Sequence, residues 1–274
     1  MSGSTMRKGI AFTCEAAALF GTLDLPADGA PRAGLLLVSG GNEIRAGAWS
    51  GQAQMAARLA AQGFAVMRYD RRGVGDSEGM NTGFRGSGPD ILAALTAFRD
   101  AVPGLARLVV LGNCDAASAV MMTAPQMQGV SALVLSNPWT IEQDEDGAAE
   151  EKAAMPTAAL RAHYRARLAN PAMLLRLLTG KVSIFGAIRS VIAMLRPKPA
   201  EPNPLARAMA EGLSAWGGPA MLLIAGRDRT GLAFLDNWDK RDRRIQTCDG
   251  ATHSFVEDHA RDWYLAQVVV ALNG

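Results

Sequence analysis

Three side chains that could together perform nucleophilic catalysis occur along the chain in the order Cys114, Asp228, His253. A cysteine thiolate attacks carbonyl carbon, and a neighbouring histidine takes up and returns the thiol proton. A carboxylate fixes the histidine tautomer and stabilises the imidazolium. Each residue alone also has an ordinary structural explanation: a buried core cysteine, a turn-forming aspartate and a residue preceding a helix. Their order, and the loops in which they occur, favour a catalytic triad.

The residues around Cys114 are those that a sharp strand-to-helix turn requires. The apolar run 108–111 leads into Gly-Asn-Cys-Asp-Ala at 112–116 and then into a helix-forming segment. The apex residue of such a turn is strained, which is tolerated only if the residues two before and two after it are small. Gly112 and Ala116 occupy those positions. The turn would hold the Cys114 side chain at the positive end of the following helix, where a thiolate is favoured.

The acid and the base follow the last two strand-like segments. Asp228 comes just after the glycine that ends the apolar run 220–225. The chain has three histidines, His163, His253 and His259. His253 lies in the loop between the last predicted strand and the last predicted helix, which is where the base of such a triad is needed. The sequence therefore predicts that His253 activates Cys114 and that Asp228 orients His253.

A second glycine-containing turn supplies candidates for an oxyanion hole. The apolar run 35–38 leads into Ser-Gly-Gly-Asn at 39–42. Two backbone N–H groups normally bind the oxyanion, one following the nucleophile and one from this earlier loop. We expect these donors to be the N–H groups of Asp115 and Gly41, with Asn42 replacing Gly41 if the loop is shifted by one residue.

Strand-like and helix-like segments alternate over most of the chain, which is typical of a mostly parallel, doubly wound α/β sheet flanked by helices. Segments near 10–14 and 19–25 indicate a leading antiparallel pair. The alternation stops at about Trp139 and resumes after Trp216. We therefore predict a core domain formed by residues 1–138 and 217–274, with a helical lid at 139–216 inserted above the nucleophile.

The predicted lid is unusually basic. It opens with an acidic run, but residues 153–200 contain eight Lys or Arg and no acid, interleaved with apolar residues at helical spacing. Such a lid could contact acyl chains, or an anionic membrane surface as a peripheral partner. Its apolar side could equally do no more than pack on the core. The sequence leaves these interpretations open.

The composition excludes several other classes of protein. The net charge of +2 gives no sign of a nucleic-acid surface, and Cys14, Cys114 and Cys248 show neither zinc-ligand nor disulfide spacing. The glycine-rich turn at 73–79 does not match a nucleotide-binding motif, so we predict neither cofactor nor metal. Interrupted apolar stretches after Arg7 and Lys8 indicate neither a signal peptide nor a membrane span. Reduced thiols suit the cytoplasm, and the oligomeric state is open.

Taken together, these motifs resemble the α/β-hydrolase superfamily over nearly the whole chain. More narrowly, the sequence is similar to the exosortase A system-associated hydrolases of type 1 through the Gly40-Gly41 pair and the segments 67–79, 113–118 and 251–255. That resemblance implies a genetic association with exopolysaccharide production and protein sorting in Gram-negative bacteria. Two departures from most α/β-hydrolases are Cys114 in place of serine and Ser39 where histidine is commoner.

The cysteine narrows the expected chemistry. A thiolate–imidazolium pair attacks readily, but the thiol also leaves easily, which favours thioesters, activated esters and lactones over amides. The leading hypothesis is an acyl hydrolase, an esterase or thioesterase that forms an acyl-Cys114 intermediate on a small-molecule substrate. One alternative is an acyltransferase with the same intermediate in exopolysaccharide or lipid-linked metabolism. A second is a non-catalytic scaffold that retains the fold.

Overall fold

The computed structural model describes residues 5–28, 30–141 and 203–274 of the chain. Within these ranges, eight β-strands form a single sheet. They are Thr5–Cys14 (β1), Ala17–Pro26 (β2), Gly34–Val38 (β3), Ala65–Tyr69 (β4), Leu108–Asn113 (β5), Ala132–Ser136 (β6), Ala220–Ala225 (β7) and Ile245–Cys248 (β8). Every strand predicted from the sequence is present, and β1 begins five residues before the predicted segment near 10–14.

The helices of the described ranges connect these strands. They are Gly51–Ala60 (α1), Gly88–Ala101 (α2), Asp115–Thr123 (α3), Pro204–Trp216 (α4), Arg229–Asp236 (α5) and Asp258–Asn273 (α6). The sequence predicted α1, α2, α3 and α6. It did not predict α5, a two-turn helix that begins directly after Asp228.

The strand order is β1-β2-β4-β3-β5-β6-β7-β8. β1 and β2 form the expected antiparallel pair, and β2 also runs antiparallel to β4. All other neighbouring strands are parallel. Because parallel strands end at the same edge of the sheet, the loops that follow β3, β5, β7 and β8 meet there. The mostly parallel doubly wound sheet that the sequence predicted is therefore confirmed.

Helices cover both faces of the sheet, which explains why β3, β4 and β6 are buried along their whole length. One apolar core lies under α2, α3 and α4 and includes Phe98, Val120 and Met209. The other lies under α1 and α6 and includes Leu59 and Val268. The sheet is thus clamped between two apolar layers, so its carboxyl edge is a rigid platform for the loops.

The predicted lid falls mostly outside the described residues, which include only 139–141 and 203–216 of it. The eight basic residues at 153–200 also lie outside the described ranges. At the C-terminal end of the predicted insertion, α4 packs on the core through Leu205, Met209 and Leu213, all of which are buried. No helix in the described ranges combines the length and apolar character needed to cross a bilayer.

Candidate active site

The structure places Cys114 at a sharp turn between β5 and α3. Its backbone angles are φ 61° and ψ −129°, in the left-handed half of conformational space that costs a residue with a Cβ free energy. The turn is held by the Cys114 N–H, which donates to the Ser136 carbonyl oxygen at 2.9 Å. A Cβ on Gly112 would lie 2.8 Å from the backbone of Ala116, so the residue two positions before the apex has to be glycine.

The three predicted triad residues come together at the carboxyl edge of the sheet. His253 Nδ1 lies 2.9 Å from Asp228 Oδ2. The Cys114 side chain lies close enough to His253 to act as a hydrogen-bond partner that raises the pKa of the imidazole. Because Nδ1 faces the carboxylate, Nε2 is the ring nitrogen left for the thiol. This is the arrangement that a nucleophile, a base and an orienting acid would require.

Asp228 has two partners on one oxygen. Its Oδ2 accepts from the Gly231 N–H at 2.9 Å, which caps the N-terminus of α5, and also faces His253. The side chain is 7% exposed, whereas that of His253 is 38% exposed. The helix cap therefore fixes a buried carboxylate behind a histidine that remains accessible. The turn-forming interpretation of Asp228 and its catalytic interpretation describe the same geometry.

These contacts change the protonation of His253. Its hydrogen bonds with Asp228 and then with Cys114 outweigh burial and raise its pKa to about 10. The imidazole is therefore charged at neutral pH, which is the state expected of a histidine paired with a thiolate. In this state it can deliver a proton to a leaving group without first acquiring one.

Asn137 supports the site, although no role was predicted for it from the sequence. Its backbone is in the left-handed region (φ 43°) and its side chain is fully buried. Its Nδ2 donates to the His253 carbonyl at 3.0 Å and to Asn113 Oδ1 at 3.3 Å, and its Oδ1 accepts from the Ala225 N–H at 2.8 Å. One amide thus joins the histidine loop, the nucleophile strand and β7. The only available signal was its position directly after β6.

The predicted oxyanion loop lies beside the nucleophile, but one donor is occupied. The Gly41 N–H donates to the side chain of Asp115, with a distance of 2.7 Å to Oδ1. Gly40 passes so close that a Cβ there would lie 2.6 Å from the same oxygen. In this conformation the Gly41 N–H is not free to bind an oxyanion. Asp115 N–H, at the first residue of α3, and Asn42 are the remaining candidates.

The segment 67–79, which contains the end of β4 and the glycine-rich turn after it, anchors the oxyanion loop from the other side. Buried Asp70 accepts from the Arg45 N–H at 2.5 Å and forms an ion pair with the Arg45 guanidinium. The Arg71 guanidinium donates to the Gly41 carbonyl oxygen. Gly41 is therefore held through both its N–H and its carbonyl. The segment 67–79, which resembles the superfamily in sequence, therefore positions the oxyanion loop in the structure.

The other two cysteines lie in different surroundings. Cys14 is buried and donates to Asp90 Oδ1 at 3.3 Å; burial, followed by the bond to Asp90, raises its pKa to about 11. Burial also raises the pKa of Cys248. Neither thiol has a histidine beside it among its described contacts. No cluster of residues that could hold a metal ion occurs within the described ranges.

An eight-stranded sheet in this order, with a sharp strand-to-helix turn after β5 and a histidine after β8, is the α/β-hydrolase architecture. The family described as "Alpha/beta hydrolase family" matches residues 35–267. The chain therefore belongs to the α/β-hydrolase family. No curated protein matches it by sequence.

Solved structures share this fold at low sequence identity. The esterase Pf2001 from Pyrococcus furiosus is 15% identical, with a TM-score of 0.60 over 98% of this chain and 92% of that one. Est1E from Butyrivibrio proteoclasticus, solved with ferulic acid bound, is 14% identical, with a TM-score of 0.60 over 97% and 100%. The α/β-hydrolase GrgF from Penicillium sp. sh18 is 18% identical, with a TM-score of 0.61 over 98% of each chain. These likenesses concern the fold.

Proposed function

We propose that this protein is an acyl hydrolase that cleaves ester or thioester bonds through an acyl-Cys114 intermediate. The observation that carries the proposal is the 2.9 Å contact between Asp228 and a His253 that is also hydrogen-bonded to Cys114. The presence of esterases among its structural neighbours agrees with it. A scaffold without catalysis would not need the strained backbone at Cys114, which costs about 1–3 kcal/mol.

In the first half-reaction the Cys114 thiolate attacks the carbonyl carbon of the substrate. A C–S bond forms, and the π electrons of the carbonyl move to its oxygen. When the C=O bond re-forms, the bond to the leaving alcohol or thiol breaks, and the His253 imidazolium supplies the proton. In the second half-reaction water attacks the thioester carbonyl, His253 takes its proton, and the Cys114 thiolate leaves.

The oxyanion needs donors that do not already face a negative charge. The Asp115 N–H lies at the N-terminus of α3, where the helix dipole also favours an anion. The second donor would be Asn42 N–H, or Gly41 N–H once the Asp115 carboxylate has moved away. The carboxylate at this position opposes oxyanion formation, so we expect its displacement to accompany productive substrate binding.

Acyl transfer is the second candidate function, and the identity of the nucleophile favours it. An acyl-cysteine is itself a thioester, so the acyl group remains activated toward an alcohol or amine acceptor.

From the sequence patterns alone we propose three further points. The chain is related to the exosortase A system-associated hydrolases, the protein is located in the cytoplasm, and the basic lid makes a peripheral contact with a membrane.

The decisive experiment is to trap the acyl-enzyme. The purified protein is mixed with 4-nitrophenyl acetate, quenched in acid and weighed by intact mass spectrometry. We expect one acetyl group, mapped by proteolysis to Cys114, and a burst of nitrophenol equal to the protein concentration. Adding alcohols or amines and analysing the products separates hydrolysis from transfer. If turnover continues without acylation of Cys114, the mechanism is wrong.

A further inference from the structure

A cavity of about 660 Å³ opens next to the proposed triad. Asn113 and Ser254 line it, and these residues directly precede Cys114 and follow His253. Its other walls come from the segment that follows the oxyanion loop, from α1 and from the N-terminal half of α6. The cavity is therefore built by described residues of the core. Its volume lies within the roughly 300–1,000 Å³ usual for small-molecule sites.

The chemistry of the walls favours an uncharged occupant. Met55, Leu111 and Leu265 contribute apolar surface, together with the stacked rings of Phe255 and Tyr264, whose centroids are 4.5 Å apart. The polar groups on the walls have partners of their own. Gln52 Oε1 accepts from Ser39 Oγ at 3.0 Å, and Tyr264 Oη lies 2.8 Å from Ser136 Oγ. These two polar atoms are therefore already engaged.

Of the four charged lining residues, Glu43, Arg58, Arg261 and Asp262, the last three form ion pairs. Arg58 forms an ion pair with Asp262 at 2.9 Å, and both residues line the cavity. Arg261, a third lining residue, pairs with Asp258. An anionic substrate would have to compete with these carboxylates, whereas an apolar group would gain from leaving water.

A strained stretch of backbone keeps one aromatic side chain of the cavity wall exposed to solvent. Trp49 and the following Ser50 both have left-handed backbone angles, with φ of 55° and 56°. The Trp49 side chain lines the cavity but is 84% exposed, and Val256, another lining residue, is 46% exposed. Exposed apolar side chains supported by a strained backbone are characteristic of a binding site rather than of a core.

We propose that this cavity binds an uncharged, mainly apolar part of the substrate, such as a medium-length alkyl chain or an aromatic ring, while its ester or thioester group lies at Cys114. The inference rests on the proposed function and adds the site and the chemical class of the bound group. The core alone would then provide this selectivity, independently of any lid.

Gly51 offers a direct test. It lines the cavity at the start of α1 with ordinary helical angles (φ −61°, ψ −41°), and a Cβ there would meet no atom within 4 Å. Gly51→Leu and Gly51→Trp would therefore add a bulky side chain at the cavity wall without backbone strain. We expect the ratio of kcat/KM for 4-nitrophenyl octanoate to that for the acetate to fall in that order, at least tenfold for Gly51→Trp. An unchanged ratio in a folded Gly51→Trp protein overturns the proposal.

Gly9→Trp is the matched control. Gly9 lies exposed on the edge strand β1 and also has open space around its Cβ position, so both rates should equal those of the wild type. Calorimetric binding of 1-octanol to the wild type and to Gly51→Trp tests the cavity without turnover. Weaker binding by the variant supports the site even if neither ester is cleaved, in which case only the proposed function fails. Equal affinities overturn the site whatever the esterase result.

Discussion

At the scale of single residues, the site depends on groups that serve two purposes at once. Asp228 caps a helix and orients His253 with the same oxygen atom. Asp115 supplies a candidate oxyanion donor through its N–H, while its carboxylate holds the N–H of Gly41. A residue with two partners is fixed more firmly than a residue with one, which is the preorganisation that catalysis requires.

The three cysteines give the first prediction. Cys114→Ala should lower the rate with 4-nitrophenyl acetate to near that of the uncatalysed reaction, because the nucleophile is lost. Cys14→Ala and Cys248→Ala should each retain the wild-type rate within about twofold, since their thiols are buried and neither residue lies at a strand-to-helix turn. Steady-state kinetics of the three purified variants measures this. A wild-type rate in Cys114→Ala would show that the turn is only structural.

The protonation of His253 gives the second prediction. Its pKa of about 10 keeps it charged through neutral pH, so kcat/KM for an alkyl thioester should fall only as the pH rises through that value. Asp228→Asn removes the largest cause of the raised pKa, and the alkaline limb of the profile should move to lower pH. An alkaline limb at the same pH in both proteins would contradict this coupling.

The same pKa makes a statement about stability, whose sign is fixed by linkage. The folded pKa lies above the usual value of 6.5, so the stabilisation is complete below about pH 6.5 and is lost as the pH rises toward 10. The difference in unfolding free energy between the wild type and His253→Gln should therefore shrink over that interval. Urea denaturation at several pH values provides the measurement.

At the scale of elements, the parallel strands matter because their ends coincide. Asn113 pairs with Ser136, Ser136 with Leu223, and Ala225 with Cys248 in neighbouring strands. The loops that carry Cys114, Asn137, Asp228 and His253 therefore start from one edge. Because helices cover both faces of the sheet, these loops can adopt strained geometry without disturbing the core.

Asn137 gives the prediction that belongs to this scale. Asn137→Ala removes three hydrogen bonds. They join the loop after β6 to the ends of β5 and β7 and to the loop after β8. We expect kcat to fall by about tenfold or more, with a smaller change in KM, because His253 would be less well placed. Asn137→Asp, which retains an acceptor for the Ala225 N–H, should recover stability but not the bond to His253. Unchanged kcat in a folded Asn137→Ala protein would argue against the positioning role.

At the scale of the whole molecule, the core cavity and the predicted lid would both select apolar substrates. If the lid also covers the acyl chain, kcat/KM should rise about threefold to fourfold per methylene, at roughly 0.8 kcal/mol each, until the site is full. A series of acyl thioesters from acetyl to octanoyl with a constant leaving group measures this. Flat or falling rates would indicate a small polar substrate and a lid that only shields the site.

Much of the fold could be predicted because its signals are local. Strand and helix periods depend on near neighbours, and the need for small residues beside Cys114 follows from the sterics of a single turn. By contrast, α4 was not separated from the predicted insertion, since its apolar face has the same helical pattern whether it covers a cleft or packs on α3. The helix α5 was missed because it is short and follows directly on a residue already assigned to the triad.

The sequence by itself determined the architecture, and it named the candidate triad residues and the kind of chemistry to expect of a cysteine. The tertiary structure alone decided which partners those residues have. The Asn137 amide reaches a carbonyl 116 positions away, and the Gly41 N–H meets a carboxylate 74 positions away. Such contacts depend on how whole strands and loops pack, and a single sequence contains no local pattern for them. For that reason the occupied oxyanion donor and the cavity beside Cys114 became visible only in the folded chain.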